Sequence, residues 1–579
     1  MRQRAIACAL AAWAVCVGCA HAEDTAAMKK DALYLYEPAN RNTQQAYDEA
    51  MAAACLQGII NRDAPRLYLL APDNSRPRYW LDLFSREDAW LAGREQTRVT
   101  GLDGLVELAG DRLKGAVIWD PQVPASVNVA TTIAGVKDAV VLSPELANEY
   151  LPKWKLPVLD DLRGRFTGAE TGSKKNDAYR WALREYVEKG LCSSHFLCLF
   201  EDSASTRATG AVSYVITRDW AVKQRAFVFD LSPWADEAPK DDPGQKLGTD
   251  LETYRMLLAE TRKQADGKHM TELTGFFAFW KYSNIPGFKS AHEPVPTEWE
   301  SVYVMSPFNC YQNTISSDCY NQSLHSQAPF TPLKQRRPEL RTAVENKAYV
   351  CILMADYDSA TPLYDFMPRH WEDAGRGKLP LAWGINPNLI ETYPDVIAHF
   401  YATASENDHF VSDASAAGYF NPNRIEEQHL PLFVRHNKRF FEATDMSIAP
   451  MVLDWDQPTA AVKDAFAQFA PDGFATIVMD MHNDVGRPPK PHVWKGMPVT
   501  ELLNDTCNFA NPKQTADAMY NAMKNRGNAI PGFYFFRIVW TPPSAVIESL
   551  DVFRKDHPEV PLEVVDPYNF FALFKTHYK

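Results

Sequence analysis

The sequence predicts an α/β protein in which an N-terminal region built on a parallel sheet is followed by a (β/α)8-like barrel, regular or irregular. Two observations predict this. Short apolar runs that read as strands alternate with amphipathic helical segments along most of the chain. In the longer C-terminal part such runs recur eight times, which is the count a barrel requires. A doubly wound sheet is the alternative, and it too places function at the carboxyl ends of the strands.

The chain begins "MRQRAIACALAAWAVCVGCAHAED". Arg2 and Arg4 precede an apolar run too short for a comfortable bilayer span, and Ala20-His21-Ala22 forms an A-x-A site. Residues 1–22 are expected to be an export signal cleaved before Glu23, giving a periplasmic or secreted protein. The competing reading is lipidation at Cys19. No later segment reads as a membrane span. The region 23–235 is expected to hold the N-terminal α/β part, and 236–579 the barrel. In the first, "DALYLYEP" (31–38), "PRLYLLAP" (65–72), "GAVIWDP" (115–121) and "DAVVLSP" (138–144) read as strands, and residues 43–62 as a helix. Neither G-x-G-x-x-G nor G-x-x-x-x-G-K-[ST] occurs, so nucleotide binding lacks its usual signature. In the second, the eight runs are 273–280, 349–356, 379–386, 408–413, 447–456, 473–484, 530–540 and 561–567.

Composition narrows the function classes. The chain is 46% apolar and 12% aromatic, enough to build a packed interior. Its 15 Trp and 24 Tyr serve either core packing or sugar stacking. Losing residues 1–22 removes two Arg and no acid, so the formal charge of −13 becomes −15 (−13 − 2). An acidic protein of this kind is a poor nucleic-acid binder. Three of the ten Cys leave with the signal. Of the rest, Cys310 and Cys319 are close enough in sequence for a disulfide, Cys192 and Cys198 form another close pair, and Cys55 and Cys351 sit in apolar runs as buried thiols.

Polar groups gather where the barrel strands end. Asp356 and Asp358 follow "CILMA", Asp454 and Asp456 flank Trp455, and Asp480, His482, Asn483 and Asp484 follow "IVM". Trp383 precedes Asn386, and Arg537 precedes Trp540. Parallel strands would bring these groups to one rim, where one carboxylic acid and one carboxylate suffice for glycoside hydrolysis. Each Asp alone reads equally well as a helix cap, Asp456 above all. Asp356 and Asp480 are the expected working pair, with Asp358, His482 and Asp454 as supporting catalytic candidates. Trp383, Gly418, Tyr419, Trp455 and Arg537 are the expected substrate contacts. No cofactor or metal is expected, since no His pair has zinc-ligand spacing, although Asp356, Asp358 and His482 would form the metal set of a polysaccharide deacetylase. The segment 291–316, with His292, Glu293, Glu298 and Glu300, reads either as further site chemistry or as a surface connector capped at Thr297.

The stretch Ala416–Pro422, "AAGYFNP", follows the strand-like "DHFVSD". With "LQGIINRDAPRLYL" (56–69), "AFVFDLSPWADEAPKDDPGQKLGTDLET" (226–253), "HEPVPTEWE" (292–300) and "MADYD" (354–358), it resembles the GxGYxYP glycoside hydrolase family over nearly the whole mature chain. The match in the naming loop covers its second Gly, first Tyr and Pro, and departs at Ala416 and Asn421. The resemblance implies an exported protein of carbohydrate breakdown, and it transfers no catalytic residue. The two departures imply altered specificity, or a non-catalytic glycan-binding protein. The partner expected in either case is a carbohydrate; oligomeric state is left open.

Overall fold

The computed structural model describes residues 32–39, 43–72, 74–200, 218–282, 292, 294–315, 319–454, 456–477, 489–504 and 511–579. The N-terminal part carries three small parallel sheets where one was expected. Ala32–Tyr36 lies between Leu67–Leu69 and Glu95–Arg98, and Gly115–Ile118 lies between Ala139–Leu142 and Val158–Asp161. The third sheet runs Cys310–Asn313, Thr271–Gly275, Phe196–Leu199, Phe227–Phe229. The expected helix is present as Gln44–Ile60. Its N-cap is Thr43, whose hydroxyl accepts from Ala46 N–H at 3.2 Å.

The C-terminal part is a nearly closed parallel barrel of seven strands: β1 Ala348–Ala355, β2 Leu381–Gly384, β3 Asp408–Val411, β4 Ile448–Met451, β5 Gly473–Thr476, β6 Met497–Leu503 and β7 Gly532–Val539. Each strand pairs with its neighbours in sequence except β3 with β4, and β7 returns to β1 through eight paired residues. Between β3 and β4 the ring is joined by the residues that follow β3. There Ser412 N–H donates to Ile448 O (3.2 Å) and Val452 N–H donates to Ala414 O (2.8 Å).

Two of the eight expected barrel strands change place. The run 273–280 forms part of Thr271–Gly275, in the N-terminal sheet. The run 561–567 gives only Leu562–Val564, wedged beside the first three residues of β1. β6 was not anticipated; its Pro498, Thr500 and Glu501 interrupt the apolar pattern.

Side-chain alternation sorts the strands into two layers. Tyr349, Cys351, Leu353 and Ala355 of β1 pack with Ala382, Val411, Ile448, Ala475, Leu502, Phe535 and Val539 inside the barrel. Val350, Ile352 and Met354 face outward to the helices. The strand is buried on both faces, which explains its unbroken apolar sequence. Helix α1 (Pro294–Met305) and helix α2 (Pro567–His577) contribute to the interior, through Trp299 and Val302 and through Phe570, Phe571 and Leu573. The described residues 294–315 of the segment 291–316 are therefore not a surface connector: Thr297 and Trp299 are buried within α1. Cys310, Cys192 and Cys198 are buried free thiols, so Cys310 forms no disulfide with Cys319, which is buried as well. Cys319 Sγ lies 3.2 Å from Thr361 Oγ1, and Cys310 Sγ lies 3.6 Å from Phe308 O. The expected buried thiols Cys55 and Cys351 are present.

Candidate active site at the barrel rim

β1 ends at Asp356, whose φ of +65° lies in the left-handed region. Such a backbone costs a non-glycine residue about 1–2 kcal/mol. Three contacts hold it there. Asp356 N–H donates to Asp413 Oδ2 (2.7 Å), Asp356 O accepts from Trp540 Nε1 (2.9 Å), and the carboxylate is ion-paired with Arg537 Nη2. Arg537 Nη1 also donates to Asn504 Oδ1 at 3.1 Å. Strained backbone held by several partners is characteristic of functional sites.

Strand parity explains the convergence. Phe535 and Val539 face the interior, so Arg537 between them does too. Val411 faces the interior, and Asp413, two residues on, continues that face. A Cβ at Gly384 would lie 2.6 Å from Asp413 Oδ2, so glycine is what admits this carboxylate beside β2. Asp356, Asp358 and Asp413 bring one carboxylate oxygen each within 4.8 Å of one another. That spacing lets them share a cation; in the structure Arg537 supplies positive charge to Asp356.

The acids differ in environment. Asp358 is buried and accepts from Tyr419 Oη at 2.8 Å. Burial, reinforced by the charges of Asp413, Asp356 and Glu298, raises its carboxyl far above the usual range despite that bond. Asp413 has no exposed surface, and burial raises it to about 6 against the opposing pull of Arg537. Glu298 reaches the cluster from α1. Withdrawal from water, aided by the Asp356 charge and resisted by Arg537, raises it to about 8.

Other expected residues lie elsewhere. Trp383 has no exposed surface. It faces outward from β2, donates to Asp408 Oδ1 (2.8 Å) and packs against Trp371 at 5.0 Å, so it is a core residue and no stacking platform. Asp454 is buried and raised to about 6 by burial. It accepts from Asn423 N–H (2.8 Å) and Asp456 N–H (3.0 Å) and so organises a turn. The cap of the following helix is Thr459, not Asp456. His292 is engaged with Asp236 at 3.0 Å. Asp480, His482 and Trp455 lie outside the described residues.

The Ala416–Pro422 loop packs against protein. Tyr419 forms an antiparallel bridge with Gln312 of the N-terminal sheet (2.9 and 3.1 Å), so the loop ties that sheet to the barrel. Its ring is only 6% exposed, and its hydroxyl meets Asp358. Gly418, at φ +112°, would place a Cβ 2.3 Å from the Tyr311 ring. The small residues thus admit Tyr311 rather than a ligand. Ala416, the departure from the family motif, holds φ +93°, a conformation glycine adopts at no steric cost. The loop geometry therefore survives this substitution, with Ala417 N–H bonded to Asn437 Oδ1 at 2.8 Å.

Asp413 is not among the expected site residues, Glu298 is there only with its segment as alternative site chemistry, and Trp540 only as the neighbour of Arg537. Asp413 carried a usable signal, since it ends a predicted strand as Asp356 does. Glu298 and Trp540 carried none beyond their neighbourhood.

Comparison with known proteins agrees with the resemblance. The model described as "GxGYxYP putative glycoside hydrolase C-terminal domain" matches residues 346–575, and that described as "GxGYxYP_N second domain" matches 113–190. The solved structure of a "putative hydrolase" from Bacteroides thetaiotaomicron VPI-5482 is 17% identical, covers 95% of this chain and 95% of its own, and gives a TM-score of 0.68. This shows a shared fold. A "putative polysaccharide deacetylase" from Mycobacterium smegmatis covers 42% of this chain and 94% of its own at 10% identity, and its TM-score of 0.28 carries no argument. No curated protein matches the chain.

Proposed function

Because the chain belongs to the GxGYxYP glycoside hydrolase family, we propose that it is an exported enzyme that cleaves a polysaccharide or oligosaccharide with Asp356 and Glu298. The observation that carries this reading is the meeting of an ion-paired carboxylate, Asp356, with a neighbouring carboxyl raised to about 8, Glu298, at the C-terminal rim of a parallel barrel. Glu298 is the general acid: it gives its proton to the leaving glycosidic oxygen as the bond to the anomeric carbon breaks. Asp356 is the carboxylate that acts from the other side, on water or on the anomeric carbon. Asp413 holds the Asp356 backbone, and Tyr419 and Asp358 buttress the floor. Asp356 keeps the role expected from the sequence, and Glu298 takes the place given there to Asp480.

Turnover on a panel of soluble polysaccharides, with and without EDTA, tests the assignment. Release of reducing ends that EDTA leaves unchanged is the expected result; no reducing ends from any member overturns it. The 4.8 Å spacing of Asp356, Asp358 and Asp413 favours a second reading, metal-dependent deacetylation. Its signature is acetate release that stops with EDTA and returns with a divalent cation.

The acid carries a pH prediction. Glu298 is protonated below about pH 8 and loses its proton above it, so the rate falls about tenfold per pH unit on the alkaline side. Glu298→Gln removes that limb and lowers the plateau by about 10²-fold. An unchanged alkaline limb in Glu298→Gln assigns the acid to another group. Export is part of the proposal: intact mass starting at Glu23 supports it, and a diacylated Cys19 changes the destination to a membrane surface.

A further inference from the structure

Trp540 follows β7 directly and is 46% exposed. Among the described residues it is the only aromatic side chain in the group of large, strongly exposed apolar residues, which otherwise contains Val158, Leu191, Leu247, Met256, Leu340 and Ile530. Its indole is not free to swing. Nε1 donates to the Asp356 carbonyl at 2.9 Å, and the Phe366 ring meets it edge-to-face, with centroids 5.0 Å apart. Its own φ of +43° is a left-handed value that a bulky residue rarely adopts. An exposed Trp held in strained backbone and anchored to the residue beside the reacting bond has the character of a functional-site residue.

We infer that Trp540 is the stacking platform of a sugar-binding subsite next to Asp356, and that the ring it receives belongs to a neutral sugar. This rests on the glycoside hydrolase reading above and names the substrate class for that site. An indole offers a flat, electron-rich face to the C–H groups of a pyranose, and its anchored orientation lowers the entropy lost on binding. The surroundings select against anionic sugars. Asp356, Asp358, Asp413 and Glu298 cluster nearby, and the one cation identified among them, Arg537, is already engaged by Asp356 and Asn504. A uronic acid would bring a negative charge to a group in which burial and neighbouring charge already hold the Asp358 and Glu298 carboxyls above the usual range.

The test separates binding from cleavage. Affinity electrophoresis in native gels cast with galactomannan, xyloglucan, mixed-linkage β-glucan, starch or alginate measures retention of the full chain. The Asp356→Asn background prevents digestion of the gel. Retention by at least one neutral polysaccharide is expected, with Trp540→Ala weakening it about tenfold or more and Trp540→Phe recovering most of it. Trp540→Leu fills the volume without an aromatic face and should bind as weakly as Trp540→Ala, which guards against a folding defect in the smaller variant. Unchanged retention in the Ala and Leu variants overturns the platform while leaving hydrolysis intact. Retention that depends on Trp540 in a wild-type protein that cleaves nothing keeps the platform and sinks the hydrolase reading. Retention by alginate alone overturns the neutral-sugar class, and no retention on any gel overturns the subsite.

Discussion

Asp356→Asn lowers turnover by about 10²-fold or more and leaves the fold nearly unchanged. The loss follows from chemistry: a carboxamide neither accepts a proton from water nor attacks an anomeric carbon. The intact fold follows from how the residue is held. Two of its three anchors use the main chain, N–H to Asp413 and C=O from Trp540, and neither depends on the side chain. Asn also tolerates the left-handed φ of +65° better than most residues. What disappears is the ion pair with Arg537, whose partners are both partly open to water. Single-turnover kinetics on the polysaccharide identified by the panel, together with circular dichroism, measure both halves. Wild-type turnover in Asp356→Asn would remove Asp356 from the reaction.

Gly418→Ala destabilises the protein by about 3 kcal/mol or more, the combined cost of a forbidden backbone and an overpacked contact. The φ of +112° is strained for any L side chain, and the new methyl would sit 2.3 Å from Tyr311. Tyr311 cannot retreat easily. It stacks on Phe420 at 5.3 Å, packs against His436 at 4.6 Å, and its hydroxyl bonds to Glu272 at 3.1 Å. Relief therefore has to come from the loop, which displaces Tyr419 and with it the donor to Asp358. Ala416→Gly provides the contrast. It removes the strain at φ +93° but frees the unfolded chain, so stability stays within about 1 kcal/mol of wild type. Denaturant unfolding midpoints read all three proteins. A Gly418→Ala variant as stable as wild type would mean that the loop does not pack on Tyr311.

The sequence located members of the rim cluster where chemistry and strand end coincide. Asp356 and Asp358 follow one long apolar run and Arg537 sits within another, and the fold brings all three into one cluster. It failed where the decision belonged to parity or to a distant segment. Trp383 lies on the outward face of β2 because Ala382, not Trp383, takes the inward position. Glu298 precedes the first barrel strand by 50 positions and joins the cluster only because α1 contributes to the barrel interior.

By itself the sequence determined the alternation of strands and helices, the parallel α/β class, the family and the polar residues at the ends of β1 and β7. These are local properties: apolar periodicity and strand length are set within a few residues. Tertiary structure alone decided that the barrel has seven full strands, that residues 271–275 pair in the N-terminal sheet, that Asp413 lies against Gly384, and that Trp540 is pinned to Asp356. Those outcomes depend on which strand lies next to which. Pairing between segments tens or hundreds of residues apart is chosen by the packing of the whole interior, and no single stretch of the chain records it.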